Sequence, residues 1–351
     1  MNRKRAANLS WELDPNRLRA AMVRRAERST EVQCDLAFSA IPALFEHYVS
    51  RCEALFELAA RPLSGQQRAQ FRTLLSQALK TGFEASAHAK VLLRVRSDPS
   101  PAQTLSYELG VQTREISDVY ATWLRVPDSP YFGAHPDAKV LHMARELQLP
   151  ARVLDIGAGT GRNSLPLAEL GLSVDAVELT AGFVAKLRDA ALASELSVNA
   201  IEGDAFDPEL ALPSDAYALL VASEVASSHL RDSDDLREFF QFAADKLGRD
   251  GLLVCNVFIA RADYSPDPLA RQLSPSVLST IFSEEDLERA QRDLPLALVS
   301  NESCSEYEKA NLPSEAWPPT SWFEPWASGN NLFDLPGTGP CELRWLVYRR
   351  T

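Results

Sequence analysis

What the chain lacks narrows it first. No stretch approaches the roughly 20 uninterrupted apolar residues that a membrane-spanning helix needs, so no membrane association is expected. The opening MNRKRAANLSWELDPNRLR has basic residues without an apolar core behind them, which is not the pattern of a secretory signal. Cysteine is sparse: Cys34, Cys52, Cys255, Cys304 and Cys341 are odd in number, scattered, and never spaced as CxxC. That usage fits free thiols in a reducing cytoplasm and not a disulfide framework. The five histidines share no ligand spacing with cysteines or carboxylates, so no metal site is expected. The chain has no internal repeat, and no strand-like alternation is read before residue 150.

What is present is ordinary globular composition, 46% hydrophobic and 24% charged over 351 residues, enough for two domains. The net charge of −12 is unevenly placed, with +4 over residues 1–150 and −16 over residues 151–351. An acidic second half repels polyanions, which argues against a nucleic-acid partner. The basic N-terminal run is either an anion contact or a solvated helix face.

The first part reads as helices. Over 14–61 apolar residues recur at three- and four-residue spacing (Leu36, Ile41, Leu44, Phe45, Tyr48, Leu55, Phe56), with Pro42 kinking or dividing the run. Ser64 followed by Gln67 has the form of a capping box opening a second long helix. Its inward face would take in Phe71, Leu74, Leu75, Leu79, Phe83, Val91 and Leu92, up to the SDPSP break at 97–101. A third helix is expected over 102–125. These give an all-helical N-terminal domain over 1–126, serving substrate access or homodimerisation.

Residues 127–150, opening on the turn-rich PDSPYFGAHPD, read as a connector and a first helix. From 151 short apolar runs alternate with helical periods: strands at Arg152–Ile156, Ser173–Glu178, Ser197–Glu202, Ala216–Ser223 and Leu252–Phe258, with helices over 162–170, 181–193 and 234–247. Strands of that kind are buried on both faces and predict a parallel, doubly wound α/β sheet. Ala297–Tyr307 and Glu342–Arg349 predict a late antiparallel pair at one edge, separated by an aromatic insertion at about 309–341.

The most informative stretch is Val153-Leu-Asp-Ile-Gly-Ala-Gly-Thr-Gly161, a strand running into a glycine loop that opens a helix. Gly157, Gly159 and Gly161 have no Cβ, so the turn is tight and a ligand can approach the backbone. Dinucleotide-binding folds use such loops too, but here Arg162 stands where their fingerprint has its third glycine. Asp155 would face a pyrophosphate unfavourably and suits a cationic ligand. Glu178 ends the next strand 21 residues after Gly157, where a carboxylate can accept from both hydroxyls of a ribose. Taken alone, Asp155 could also cap a helix and Glu178 could be a surface acid.

At these residues the chain resembles the class I S-adenosylmethionine (SAM)-dependent methyltransferases, whose first motif has the form VLDIGAGTG. Glu178 after the second strand, Gly203-Asp204-Ala205 after the third, Ala222-Ser223-Glu224 after the fourth and Leu247-Gly-Arg-Asp-Gly251 before the fifth agree with that family. The resemblance spans about residues 140–350 and implies a Rossmann-like fold binding SAM, with S-adenosylhomocysteine (SAH) as product. It implies cofactor contacts from Asp155, Gly157, Ala158, Gly159, Gly161, Glu178, Leu179 and Ser223, with Asp204 at the adenine amino group and Ala205 offering its N–H to the ring. Gly161-Arg-Asn-Ser164 followed by Leu-Pro-Leu-Ala is similar to the tellurite-resistance type within the class. The long N-terminal domain departs from the compact members, so chalcogen chemistry is not inherited.

His229, in Ser223-Glu-Val-Ala-Ser-Ser-His229 after the fourth strand, is the leading candidate base, with packing as its alternative role. Glu224 would orient an amine or touch the cofactor. Tyr131 and Phe132 would cover the cofactor or plug a domain junction, and Asn163 would either start a helix or touch substrate. Trp322 and Trp326, four apart, would share a face, with Phe323 and Phe333 extending a lid or side wall for a small-molecule acceptor. Two other readings stand beside methyl transfer: a SAM-binding scaffold without turnover, and a nicotinamide-dependent oxidoreductase, against which Arg162 and Asp155 count.

Overall fold

The computed structural model describes residues 14–28, 31–97, 105–113, 116, 120, 133–335, 337 and 339–351. The chain forms two compact units that divide between Thr113 and Arg114.

The first unit holds α1 (Pro15–Arg28), β1 (Gln33–Ser39), α2 (Phe45–Leu58), α3 (Gly65–Ala85), β2 (Lys90–Ser97) and β3 (Leu105–Gln112). Ser64 and Gln67 close the expected capping box at the start of α3. Pro42 opens a single 3₁₀ turn ahead of α2. The helical region is present, but the all-helical reading is wrong. The three strands form an antiparallel sheet in the order β1-β2-β3. Val91, Leu93 and Val95 are fully buried while Lys90 and Arg94 are exposed, which is strand periodicity. Leu92, set between Val91 and Leu93, hid that alternation and let the run read as the end of α3. In β3, Leu105, Tyr107 and Leu109 face inward and Ser106, Glu108 and Gly110 outward. Leu36, assigned above to a helix, lies in β1. Phe56, Phe71, Leu75 and Leu79 cover the sheet, with Phe71 edge-on to Tyr107 at 5.3 Å.

The second unit contains α4 (Ala138–Arg145), β4 (Arg152–Ile156), α5 (Ser164–Glu169), β5 (Ser173–Glu178), α6 (Ala181–Ala193), β6 (Val198–Glu202) and β7 (Tyr217–Ala222). It continues through α7 (Ala226–His229), α8 (Ser233–Lys246), β8 (Leu247–Ala260), α9 (Pro268–Ser276), β9 (Ile281–Phe282), α10 (Glu284–Gln291) and β10 (Leu296–Ser303). α11 (Cys304–Asn311), α12 (Phe323–Ala327), α13 (Asn330–Phe333) and β11 (Cys341–Arg350) complete it. The sheet runs β10-β11-β8-β7-β4-β5-β6, with β9 added beside β8. β4 to β8 are parallel, while β11 is antiparallel to both β8 and β10, so the expected late pair forms one edge with β10 outermost.

Two apolar layers hold the sheet, one on each face. Val153, Leu219, Val254 and Trp345 point into one, and Leu154, Leu220, Leu253 and Tyr348 into the other. Burial of this kind is worth about 1.5–3 kcal/mol per large side chain. The strand order reverses at β4: the chain proceeds outward through β5 and β6, then returns to place β7 on the other side of β4. A crevice opens at such a reversal, above the carboxyl ends of the strands, and that is where the glycine loop lies. The five cysteines are unpaired, four of them buried. No helix among the described residues is long and apolar enough to cross a membrane.

Candidate active site

The glycine loop leaves β4 through three left-handed residues, Gly157, Gly159 and Gly161, with φ of 69°, 55° and 98°. Glycine is needed at two of them for space as well. A Cβ on Gly157 would lie 2.5 Å from Val225 Cγ2, and one on Gly161 2.5 Å from Leu187 Cδ1 and 2.9 Å from Leu165 Cγ. The Gly157 and Ala158 N–H groups both donate to the Val177 carbonyl at 2.9 and 3.1 Å, which ties the loop to β5.

Glu178, at the end of β5, is 7% exposed and is held by two backbone donors. Gly159 N–H reaches its Oε2 at 3.0 Å and Thr180 N–H its Oε1 at 2.7 Å. Its carboxylate therefore stands at the cavity rim in one orientation with lone pairs left to accept hydroxyls. Asp155 is buried beneath the loop and accepts from Ser164 Oγ at 2.5 Å. Burial raises its carboxyl to about 7, against the lowering pull of Ser164 and Arg162 and with Asp137 and Glu178 adding to the rise.

A second group of charges sits at the end of β7. Arg162 pairs with Asp137 on one side and with Glu224 Oε1 at 3.1 Å on the other. Asp137 also accepts from Asn163 Nδ2 at 2.9 Å and Ser223 Oγ at 2.7 Å, so one buried carboxylate ties the start of α4, the glycine loop and β7 together. Glu224 has a left-handed backbone, φ 61°, uncommon for a non-glycine residue, and its N–H is anchored on Asn256 Oδ1 at 2.7 Å. Burial is also what raises the Glu224 carboxyl to about 7; Arg162 opposes the shift and Asp137 reinforces it.

Two adjoining cavities open around these groups. The first, about 350 Å³, is lined by Glu178, Leu179, Asp204, Ala205 and Phe206, and the second, about 420 Å³, by Asp155, the glycine loop, Asn163, Ser223, Glu224, Trp322 and Trp326. Tyr120, Gly157, Glu178, Val225 and His229 line both. Nearly every site residue expected from sequence is therefore brought to one crevice. Tyr131 and Phe132 lie outside the described residues. Asn163 reaches the cavity wall with its amide committed to Asp137. Trp322 and Trp326 do share a face, their rings 5.5 Å apart at 77°. Phe323 and Phe333 turn elsewhere, towards Trp317 at 5.7 Å and Tyr264 at 5.6 Å.

Sequence reasoning missed Asp137, Tyr120, Val277 and Leu278. Asp137 gave the only usable signal, an Asp ahead of a helix start. Tyr120 fell inside a stretch read as N-terminal helix, yet its hydroxyl meets His229 Nε2 at 3.1 Å. Val277 and Leu278, which line the larger cavity, come from a turn after α9 that no motif marks.

This arrangement fits SAM. A glycine-rich loop borders the cavity, the Glu178 carboxylate stands at its rim, and Leu179, Asp204 and Ala205 line the smaller cavity. Residues 153–251 match the family model described as a methyltransferase domain. No curated protein is similar enough to count as a relative. Among solved structures, geranyl diphosphate C-methyltransferase from Streptomyces coelicolor A3(2), in complex with Mg²⁺, geranyl diphosphate and SAH, is 14% identical, with 68% of this chain and 99% of that chain covered and a TM-score of 0.50. A geranyl diphosphate methyltransferase in complex with GPP and sinefungin is 15% identical, covering 61% and 77%, with a TM-score of 0.47. A TehB-like SAM-dependent methyltransferase from Corynebacterium glutamicum is 17% identical, covering 67% and 98%, with a TM-score of 0.42. Likeness at this level of identity bears on the fold alone. Motif, site geometry and family match agree: residues 153–251 carry a methyltransferase domain, which supports an enzyme with SAM as its cofactor.

Proposed function

We propose that the enzyme methylates a small molecule held in the 420 Å³ cavity beside the glycine loop. The observation that carries this reading is the lining of that cavity, which joins the glycine loop to Glu224, His229, Trp322 and Trp326 around one space. A pocket of a few hundred Å³ with apolar walls and a few convergent polar groups is the ordinary form of a small-ligand site.

When bound, SAM supplies an electrophilic methyl group on a sulfonium, transferred by in-line displacement. The chain's own task is to hold the acceptor on that line, which is worth roughly 7–11 kcal/mol in favourable cases. Trp326 is fixed for this by its indole N–H, which donates to Ser279 Oγ at 3.0 Å and the Leu278 carbonyl at 3.2 Å. Two proton acceptors face the cavity. One is the Glu224 carboxylate. The other is the Tyr120–His229 pair: burial, with Glu224 and Glu178 adding to it, raises the phenol, so Tyr120 keeps its proton, and its hydroxyl lies 3.1 Å from His229 Nε2. A base of this kind contributes about 10²–10⁴-fold when the acceptor has a proton to lose.

The run Gly161-Arg-Asn-Ser164, shared in form with tellurite-resistance enzymes, has structural employment here. Arg162 and Asn163 hold Asp137, and Ser164 holds Asp155. That supports the SAM-site reading without supporting tellurite as acceptor. The test is formation of SAH from SAM by the full chain in the presence of candidate acceptors, followed by mass spectrometry. Acceptor-dependent SAH supports the proposal. Tight SAM binding with no acceptor-dependent SAH across O-, N- and S-nucleophiles favours a SAM-binding protein without turnover.

A further inference from the structure

The charges on the wall of the larger cavity restrict what can enter it. Asp155, Glu178 and Glu224 line it, and among the described residues Arg162 is the one lysine or arginine that does. That guanidinium is already held between two carboxylates, Asp137 and Glu224. With Asp155 beneath the glycine loop and Glu178 at the cofactor's rim, Glu224 is the carboxylate left to the acceptor, and an anionic acceptor would meet it with no uncommitted lysine or arginine to receive the charge, which is unfavourable in a buried site.

The same wall suits a cation. Glu224 Oε1 takes Arg162, and the hydrogen bonds among the described residues leave Oε2 open. The left-handed backbone of Glu224, pinned by Asn256, fixes where that oxygen can lie. Strain of this kind persists at functional sites because the surroundings hold it in place. Trp322 and Trp326 meet at 77° and form an aromatic corner on the cavity wall, and Tyr120 with Phe183, 6.4 Å apart, adds a second aromatic pair. Ring faces attract ammonium groups through their quadrupole.

Resting on the reading of this cavity as the acceptor site, we infer that the acceptor is an amine with an apolar or aromatic body, its nitrogen directed by the Glu224 carboxylate and its body held by the Trp322–Trp326 corner. The amine enters as ammonium and loses one proton to Glu224, which freely exchanges it with water. The nitrogen lone pair then forms the N–C bond while the S–C bond breaks and its electron pair stays on sulfur. A primary amine leaves as the N-methylammonium product and SAH as a neutral thioether. The raised Glu224 carboxyl agrees with this role, since a group near 7 can both take and release a proton around neutrality.

Calorimetry on the full chain saturated with SAH tests the inference, with 2-phenylethylamine and tryptamine as probes against phenylacetate, indole-3-acetate and phenol. At least one amine should bind about tenfold or more tightly than its isosteric acid, a difference of the size expected for one charge-assisted contact. Glu224→Gln should weaken amine binding by about 10–100-fold, and Trp322→Phe should weaken it less than Trp322→Ala, which should cost about 3–30-fold. All three variants should keep SAH affinity. Equal or tighter binding of the acids or phenol, or no amine binding to a protein that binds SAH, overturns the inference and leaves methyl transfer standing. Failure to bind SAH overturns the acceptor-site reading itself.

Discussion

Replacing Glu178 by alanine should separate cofactor affinity from fold stability in a way that can be worked out beforehand. The carboxylate is almost wholly buried and receives two backbone N–H groups, from Gly159 at 3.0 Å and Thr180 at 2.7 Å. Removing it deprives the SAM ribose of a charged acceptor, a loss of about 1.5–3 kcal/mol, or roughly 10–100-fold in Kd. It also strands two donors, each costing about 1–3 kcal/mol if water cannot reach it. The vacated space opens to the cavity, so water relieves part of this and the low end, about 2 kcal/mol in total, is expected. For a unit of this size that lowers Tm by about 4–8 °C. Glu178→Gln keeps the volume and one acceptor oxygen, so its Tm should fall less while SAM affinity still falls, because neutral hydrogen bonds replace charge-assisted ones. Titration calorimetry with SAM and a thermal melt of each variant supply both numbers. If Glu178→Ala binds SAM as tightly as the parent, the ribose assignment is wrong. If Glu178→Gln shows parental affinity, the charge has no part in it.

Trp326→Ala should raise acceptor KM or lower kcat while leaving SAM affinity nearly unchanged; a lower Tm with unaltered kinetics would reduce the aromatic corner to packing. Glu224 gives a pH signature. The folded chain holds its proton up to about 7 where an ordinary carboxyl at 4.5 has released it, so stability falls as pH rises between those values, and Glu224→Gln should flatten that fall. As a proton acceptor Glu224 works only when ionised, so kcat/KM should climb through about pH 7 and the climb should vanish in Glu224→Gln. An unchanged profile in that variant assigns the base elsewhere, with His229→Ala the next measurement. A fragment from Arg114 to Thr351, which keeps Tyr120, should bind SAM; loss of binding in a demonstrably folded fragment would place residues 1–113 in the cofactor site.

The parts of the molecule that were legible from sequence are those where one local signal decides the structure. β4 and β5 were placed to the residue because continuous apolar runs abut glycine and acid, and the loop between β4 and α5 because only glycine tolerates its left-handed turns beside Val225 and Leu187. The N-terminal sheet was not legible. Its β1 and β3 are half-buried on one face only, and Leu92 beside two buried neighbours masked the alternation of β2. The residues assigned to the cofactor come from motif spacing, whereas the cavity wall proposed for the acceptor depends on contacts across long separations. Asp137 with Ser223, and Tyr120 with His229, are 86 and 109 residues apart, and no periodicity reports such pairs.

The most direct test of the account is a crystal structure of the full chain with SAH. It should show the ribose hydroxyls on Glu178, the adenine between Leu179 and Ala205 with its amino group at Asp204, and the sulfur facing the cavity walled by Glu224, His229 and Trp326. SAH bound away from the glycine loop, or with its sulfur turned from that cavity, would contradict it.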